Sequence, residues 1–127
     1  MTSKLQISLV AIVGAVIGAA GVQGLHAQAK PKAYVVTETE VLDDAAQKVY
    51  TSLVDAAQKA AGARRLDTGG GKIVAFAGTP PKRVTITEWN SLEQLQAYRD
   101  SAARKNLAPQ RDKAIKIIRS YAVEAVR

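Results

Sequence analysis

The chain has 127 residues, 18 Lys and Arg against 11 Asp and Glu, one His and no Cys, for a formal net charge of +7. Without Cys there is no disulfide, no thiolate nucleophile and no acceptor for thioether lipidation. The one His, His26, lies in an apolar leader, so the rest of the chain lacks His-based general bases, Ser-His and Cys-His pairs, and zinc or copper sites with N or S ligands.

The leader comes first in chain order. Lys4 precedes an apolar run from Ile7 to Val22, and Gln23-Gly24-Leu25-His26 leads into the small-x-small triplet Ala27-Gln28-Ala29. That is the layout of a secretory signal peptide over residues 1–29. The alternative is an uncleaved membrane anchor. Against it, the run falls short of the roughly 20 residues a spanning helix needs, and Gly14, Gly18 and Gly21 weaken it further. The sequence therefore predicts cleavage after Ala29, a single domain over residues 30–127, and a periplasmic or secreted location with no membrane association after cleavage. Removing the leader takes away only Lys4, so the domain stays strongly basic. Its Lys and Arg are scattered through the chain, which favours a solvated surface over a nucleic-acid footprint. No nucleic-acid partner, metal or cofactor is expected. An oxygen-ligand Ca²⁺ or Mg²⁺ site stays formally open, but the acidic residues lack the loop spacing such sites use.

Ala33 to Thr39 is β-branched and aromatic and predicts a first strand. Asp43-Asp44 then open a helix over Asp44–Ala61, with Asp44 and Gln47 at capping-box spacing. Ala45, Val49, Leu53, Ala56 and Ala60 recur at three- and four-residue steps, an apolar helical stripe. Gly62 is the expected left-handed cap. A second strand is expected from Arg64 to Thr68, interrupted by Gly69-Gly70-Gly71 and resumed over Lys72–Ala77. Gly78-Thr79-Pro80-Pro81 turns the chain, and Lys82–Trp89 alternates as a third strand. Asn90 and Ser91 offer overlapping caps to a helix over Ser91–Ala103 that carries Leu92, Leu95, Tyr98 and Ala102 on one side. Pro109 breaks the pattern near a loop, and Ile117–Val126 is the last strand.

The order βαββαβ is the split-βαβ, ferredoxin-like unit: an α+β sandwich with an antiparallel sheet and both helices on one face. Every strand offers apolar groups on both parities. The sheet face away from the helices should therefore expose more apolar surface than a monomer usually tolerates, and a homodimer, sheet against sheet, covers it.

Several features line up in order across Ala33 to Val126. They are the Tyr34 strand, the helix ending Ala61-Gly62, Thr68-Gly69-Gly70, Phe76-Ala77-Gly78, Pro81-Lys82-Arg83, Glu88-Trp89-Asn90-Ser91, Tyr98-Arg99-Asp100-Ser101, and Arg111 in the loop beyond. In these the chain resembles a family of small bacterial proteins known only as a domain of unknown function (number thirteen-thirty). That family is similar to the dimeric α/β-barrel superfamily, which includes monooxygenases, isomerases and stress-response proteins. The resemblance implies the dimeric α/β-barrel type of fold and dimerisation; it implies no reaction.

The candidate site residues carry competing readings. Glu88 could bind a ligand or act as a base with a raised pKa; otherwise it opens the helix or pairs with a nearby Arg. Arg83 and Arg111 could clamp an anion, or form structural salt bridges. Tyr34, Tyr98 and Trp89, with Tyr121, could line a pocket between sheet and helices, or serve as core and interface. The triple glycine lacks the features of a P-loop and reads as a turn or bulge.

Two function classes follow. One is an exported, non-catalytic homodimer that binds a small molecule or a partner. The other is a cofactor-independent enzyme, monooxygenase- or isomerase-like, which rests on fold analogy alone. A cavity of about 300 Å³ or more with Glu88 or Arg111 pointing in would favour ligand chemistry; a filled interior would favour a partner-binding role.

Overall fold

The computed structural model describes residues 30–126. The leader expected over residues 1–29 lies outside them. Strand β1 (Ala33–Val41) is followed by helix α1 (Asp44–Ala60), strands β2 (Arg64–Leu66) and β3 (Arg83–Trp89), helices α2 (Leu92–Asp100), α3 (Ala102–Lys105) and α4 (Ala108–Ala114), and strand β4 (Ile115–Glu124). The sheet order is β2-β3-β1-β4 with antiparallel neighbours. This is the ferredoxin-like α+β sandwich the element order predicts.

Strand pairing sorts the side chains into two faces, because successive residues of a strand point oppositely. On one face, cross-strand neighbours form the rows Leu66–Ile86–Val36–Tyr121 and Arg64–Glu88–Tyr34–Val123. On the other they form Arg65–Thr87–Val35–Ala122 and Thr85–Thr37–Ser120, with Trp89 beside Ala33 at one end and Arg83 beside Thr39 at the other. A bulge between Glu38 and Thr39 shifts β4 by one residue, so that Arg119 lies opposite Glu38 while Ile117 lies opposite Thr39 on the threonine-bearing face. The helices cover the threonine-bearing face. Alternation alone left open which parity turns inward.

The core is small and sits at one end of that face. Ala33, Trp89, Leu95 and Tyr98 are buried together, with Val35, Ala57, Ala61 and Ala63 packed around them. The Trp89 and Tyr98 rings lie with centroids 5.1 Å apart, tilted by 36°, a favourable aromatic arrangement. The Trp89 indole N–H donates to Thr87 Oγ1 at 2.9 Å, so the buried polar end of the ring is satisfied.

Helix α1 departs from expectation in two ways. Its cap is Asp43, whose carboxylate accepts from the Ala46 N–H at 2.7 Å, one residue earlier than the expected Asp44 box. The predicted apolar stripe also turns outward, with Val49 57% exposed and Leu53 40%. The side facing the sheet carries Gln47, Tyr50, Thr51, Val54 and Gln58. Periodicity picks the stripe with the most aliphatic letters, but here the inner face borders a cavity rather than a dry core.

The C-terminus of α1 closes as the sequence predicts. The Gly62 N–H bonds Lys59 O at 3.0 Å and the Ala63 N–H bonds Gln58 O at 2.9 Å, a Schellman pair. Gly62 adopts φ +91°, and a Cβ there would collide with the Gln94 side-chain amide. That amide donates to Ala61 O at 3.0 Å and so ties α2 to the end of α1. We expect Gly62→Ala to cost about 1–2 kcal/mol through backbone strain and the displaced amide. Urea denaturation reads this directly, and a cost under about 0.3 kcal/mol would show the turn to be relaxed.

The second strand is shorter than expected. Lys72–Ala77 is not strand but part of a long connection from Asp67 to Lys82. The glycines end the ladder: Gly70 takes φ +83°, and the Gly71 N–H turns back to Thr68 O at 3.0 Å. The Thr68 hydroxyl donates to Val84 O at 2.8 Å and pins the start of this connection to β3. Farther along, Phe76 is 98% exposed.

Ser91 caps α2, accepting from the Gln94 N–H at 3.0 Å, while the Asn90 N–H donates to Gln94 Oε1 at 2.7 Å. The expected second helix stops at Asp100 and restarts at Ala102, because Ser101 is extended (ψ 152°) and caps α3. Helix α4 was not foreseen. Pro109 sits in its first turn, where a missing N–H costs nothing, so the proline starts a helix rather than breaking one. Arg111 therefore stands on a helix, not in a loop, and β4 begins at Ile115 directly behind it. Among the described residues no helix is long and apolar enough to cross a membrane.

Candidate functional site

A cavity of about 120 Å³ lies between the helices and the threonine face of the sheet. The interior is therefore neither filled nor as large as a drug-sized pocket. Its floor includes Val35, Thr37, Thr39, Thr85 and Thr87, and α1 contributes Tyr50, Val54 and Gln58. Trp89, Leu95 and Tyr98 close the end nearest the core.

The other elements supply charge. Arg65 comes from β2, Arg83 from the start of β3, Arg99 from the end of α2, Arg104 from α3 and Arg111 from α4. Among the described residues no Asp or Glu lines the cavity. Two of the arginines have acidic partners outside the lining: Arg65 pairs with Asp55 on α1, and Arg111 reaches its neighbour Asp112 at 3.4 Å. Arg83 lies against the glycine turn, where a Cβ on Gly69 would come within 2.7 Å of its Nη2. Among the described residues, Arg83, Arg99 and Arg104 have no carboxylate at ion-pair distance.

The electrostatics record this imbalance. Burial, with Arg99 and Arg111 close by, holds the Arg104 guanidinium below its ordinary pKa. Burial pushes the Tyr50 hydroxyl upward, opposed by Arg111, Arg104 and Arg65. Tyr98 is raised by burial and by Tyr50, opposed by Arg104. Among the described residues three polar atoms are buried without a hydrogen-bond partner: Thr39 Oγ1, Gln58 Oε1 and Tyr98 OH. All three residues line the cavity. Buried polar groups are normally paired, and these three unpaired ones converge on one space.

The residues singled out from sequence divide by face. Arg83, Trp89, Tyr98 and Arg111 meet at the cavity. Glu88 and Tyr34 do not: they are cross-strand partners on the opposite face of the sheet. There Glu88 accepts from Lys32 Nζ, which holds its carboxyl below the ordinary glutamate range. A carboxylate so stabilised as the anion is the reverse of the raised-pKa base considered from sequence, and its partner is a lysine rather than an arginine. Tyr121 also lies on that face, opposite Val36.

Sequence reasoning missed Tyr50, Gln58, Arg65, Arg99 and Arg104. A signal existed. Threonine at every second position of two strands, 37 and 39 with 85 and 87, marks a polar inner face. The stripe Gln47, Tyr50, Val54, Gln58 at three- and four-residue spacing marks the helix side that matches it.

The fold and the cavity define a class: a ferredoxin-like α+β domain with a small arginine-lined cavity between helices and sheet. The chain belongs to the family described as domain of unknown function DUF1330, whose model matches residues 32–126. A comparison with curated proteins finds no match. Among solved structures, the fold is similar to that of a protein of unknown function from Rhodopseudomonas palustris, with TM-score 0.63 and 11% identity over 83% of this chain and 91% of that one. A methylated form of that protein matches with TM-score 0.61 and 10% identity, covering 83% and 89%.

Proposed function

We propose that this chain is an exported, non-catalytic homodimeric domain that binds a small molecule in the cavity between its helices and its sheet. The observation that carries the reading is the three unpartnered polar atoms buried around one cavity. At about 120 Å³ the space suits a small metabolite rather than a nucleotide-sized cofactor. Binding is favoured over a cofactor-independent reaction because the lining offers no His, Cys, Asp or Glu. The remaining proton carriers, Tyr50 and Tyr98, have hydroxyls raised further from neutrality, so neither is poised as a base at pH 7.

Export rests on the leader described above. Dimerisation rests on the uncovered sheet face, where Val36, Ile86, Tyr121 and Val123 have no helix over them. Native mass spectrometry of protein purified from its own host tests these points together. The expected species is a pair of chains beginning at Lys30, each carrying a small mass that is lost on denaturation. Protein that never retains such a mass would overturn the binding reading. An intact Met1 on membrane-bound protein would overturn cleavage after Ala29.

A further inference from the structure

The charge and shape of the cavity narrow the ligand, on the premise that the cavity binds one at all. Among the described residues the five lining arginines face no lining carboxylate, and only Arg65 and Arg111 are offset by acids behind them. Clustering guanidiniums in a partly dehydrated space is unfavourable unless an anion joins them. The cations are also placed unevenly. A second, more open depression on the surface is lined by Leu42, Asp112 and Lys116 together with Arg104, Arg111, Ile115 and Ile117, and the last four line the cavity as well. Arg104 and Arg111 therefore stand where the cavity meets the outside. Trp89, Leu95, Val54 and Val35 are apolar walls of the same cavity.

We propose that the cavity takes a small amphipathic carboxylate, its anionic group held by Arg104 and Arg111 at the mouth and its apolar body against Trp89, Leu95 and Val54. Planar guanidiniums recognise a carboxylate through paired N–H donors. The Tyr98 hydroxyl, buried and unpartnered, is a donor available to the same ligand. A bare inorganic anion would meet the arginines but leave the apolar walls without contacts. A neutral molecule of the same shape would fill the cavity but leave the cations uncompensated.

The test compares three probes on the full chain by isothermal titration: benzoate, its neutral isostere benzamide, and inorganic phosphate. Benzoate should bind about tenfold or more tightly than benzamide, as expected for a charge-assisted pair, and more tightly than phosphate. Arg104→Met and Arg111→Met, made separately and checked for folding by circular dichroism, should each bring benzoate down to within a few-fold of benzamide. Lys59→Met, at the far end of α1 and outside the lining, should leave both affinities unchanged. Equal affinity for benzoate and benzamide in the unmodified chain overturns the anionic class whether or not either variant folds. Phosphate binding as tightly as benzoate overturns the apolar body. If no probe binds while protein from the native host still carries a small mass, this ligand class fails and the binding function stands. If that mass is absent as well, both fail.

Discussion

Replacing Trp89 by alanine is expected to remove about 3–5 kcal/mol of stability, the largest effect of any single core change in this domain. Trp89 is the largest fully buried side chain, 1% exposed, and it bridges the two layers. Its ring packs against Tyr98 from α2, its indole N–H satisfies Thr87, and it stands beside Ala33 on the central strand. Among the described residues the cluster around it has three other buried members, so little can collapse into the space it leaves. Against a net stability of roughly 5–15 kcal/mol for a single domain, such a loss is about a fifth of the total at the least. The melting temperature should fall by more than about 12 °C. Trp89→Phe should cost less than half as much, since it keeps an aromatic ring against Tyr98 and loses the Thr87 hydrogen bond and part of the volume. Urea denaturation at matched protein concentration checks both, because dimerisation would add a concentration term. A cost below about 1 kcal/mol for the alanine variant would mean that the cavity, not Trp89, dominates how this face closes.

The second large effect is on assembly. In light scattering at micromolar concentration, the domain should show the mass of two chains and Ile86→Asp the mass of one. Ile86 lies in the row Leu66–Ile86–Val36–Tyr121, on the sheet face that no helix covers. In a two-fold interface each substitution is met twice, and each places a carboxylate in an apolar setting without a partner. We expect the dimer to weaken by at least about a thousandfold. The face is not uniformly apolar: Lys32–Glu88 and Arg119–Glu38 pairs also lie on it. Such pairs would set the register of two copies more than their affinity. Val49→Asp, on the outward stripe of α1, is the control and should leave the mass unchanged. A dimer split by Val49→Asp but not by Ile86→Asp would move the interface from the sheet to the helix.

The candidate site was only partly legible in the sequence. Arg83, Trp89, Tyr98 and Arg111 could be picked out as chemistry-bearing residues, and they do converge. Glu88 and Tyr34 looked equally good but lie on the other face, because each is one step along its strand from a residue that turns inward. Arg104 could not be found at all: its position depends on the break at Ser101, where a second cap restarts the helix in a new direction.

Local chemistry alone determined the four strands, the two main helices and their order. Asp43 and Ser91 start the two main helices, Gly62 ends the first, and β-branched runs make the strands. That order is enough to specify the ferredoxin-like sandwich, since short connections and right-handed crossovers leave few alternatives. What only the tertiary structure decided is which side of each element faces in. A strand has two faces one residue apart, and a helix stripe can be read at neighbouring registers. When both options mix apolar and polar residues, as in Val84-Thr85-Ile86-Thr87 or along α1, burial alone does not discriminate between them. Here the helices settle on the threonine face, anchored by Trp89 and Tyr98 at one end. That choice draws five arginines from five elements around one small space. It also leaves the more aliphatic face of the sheet outside.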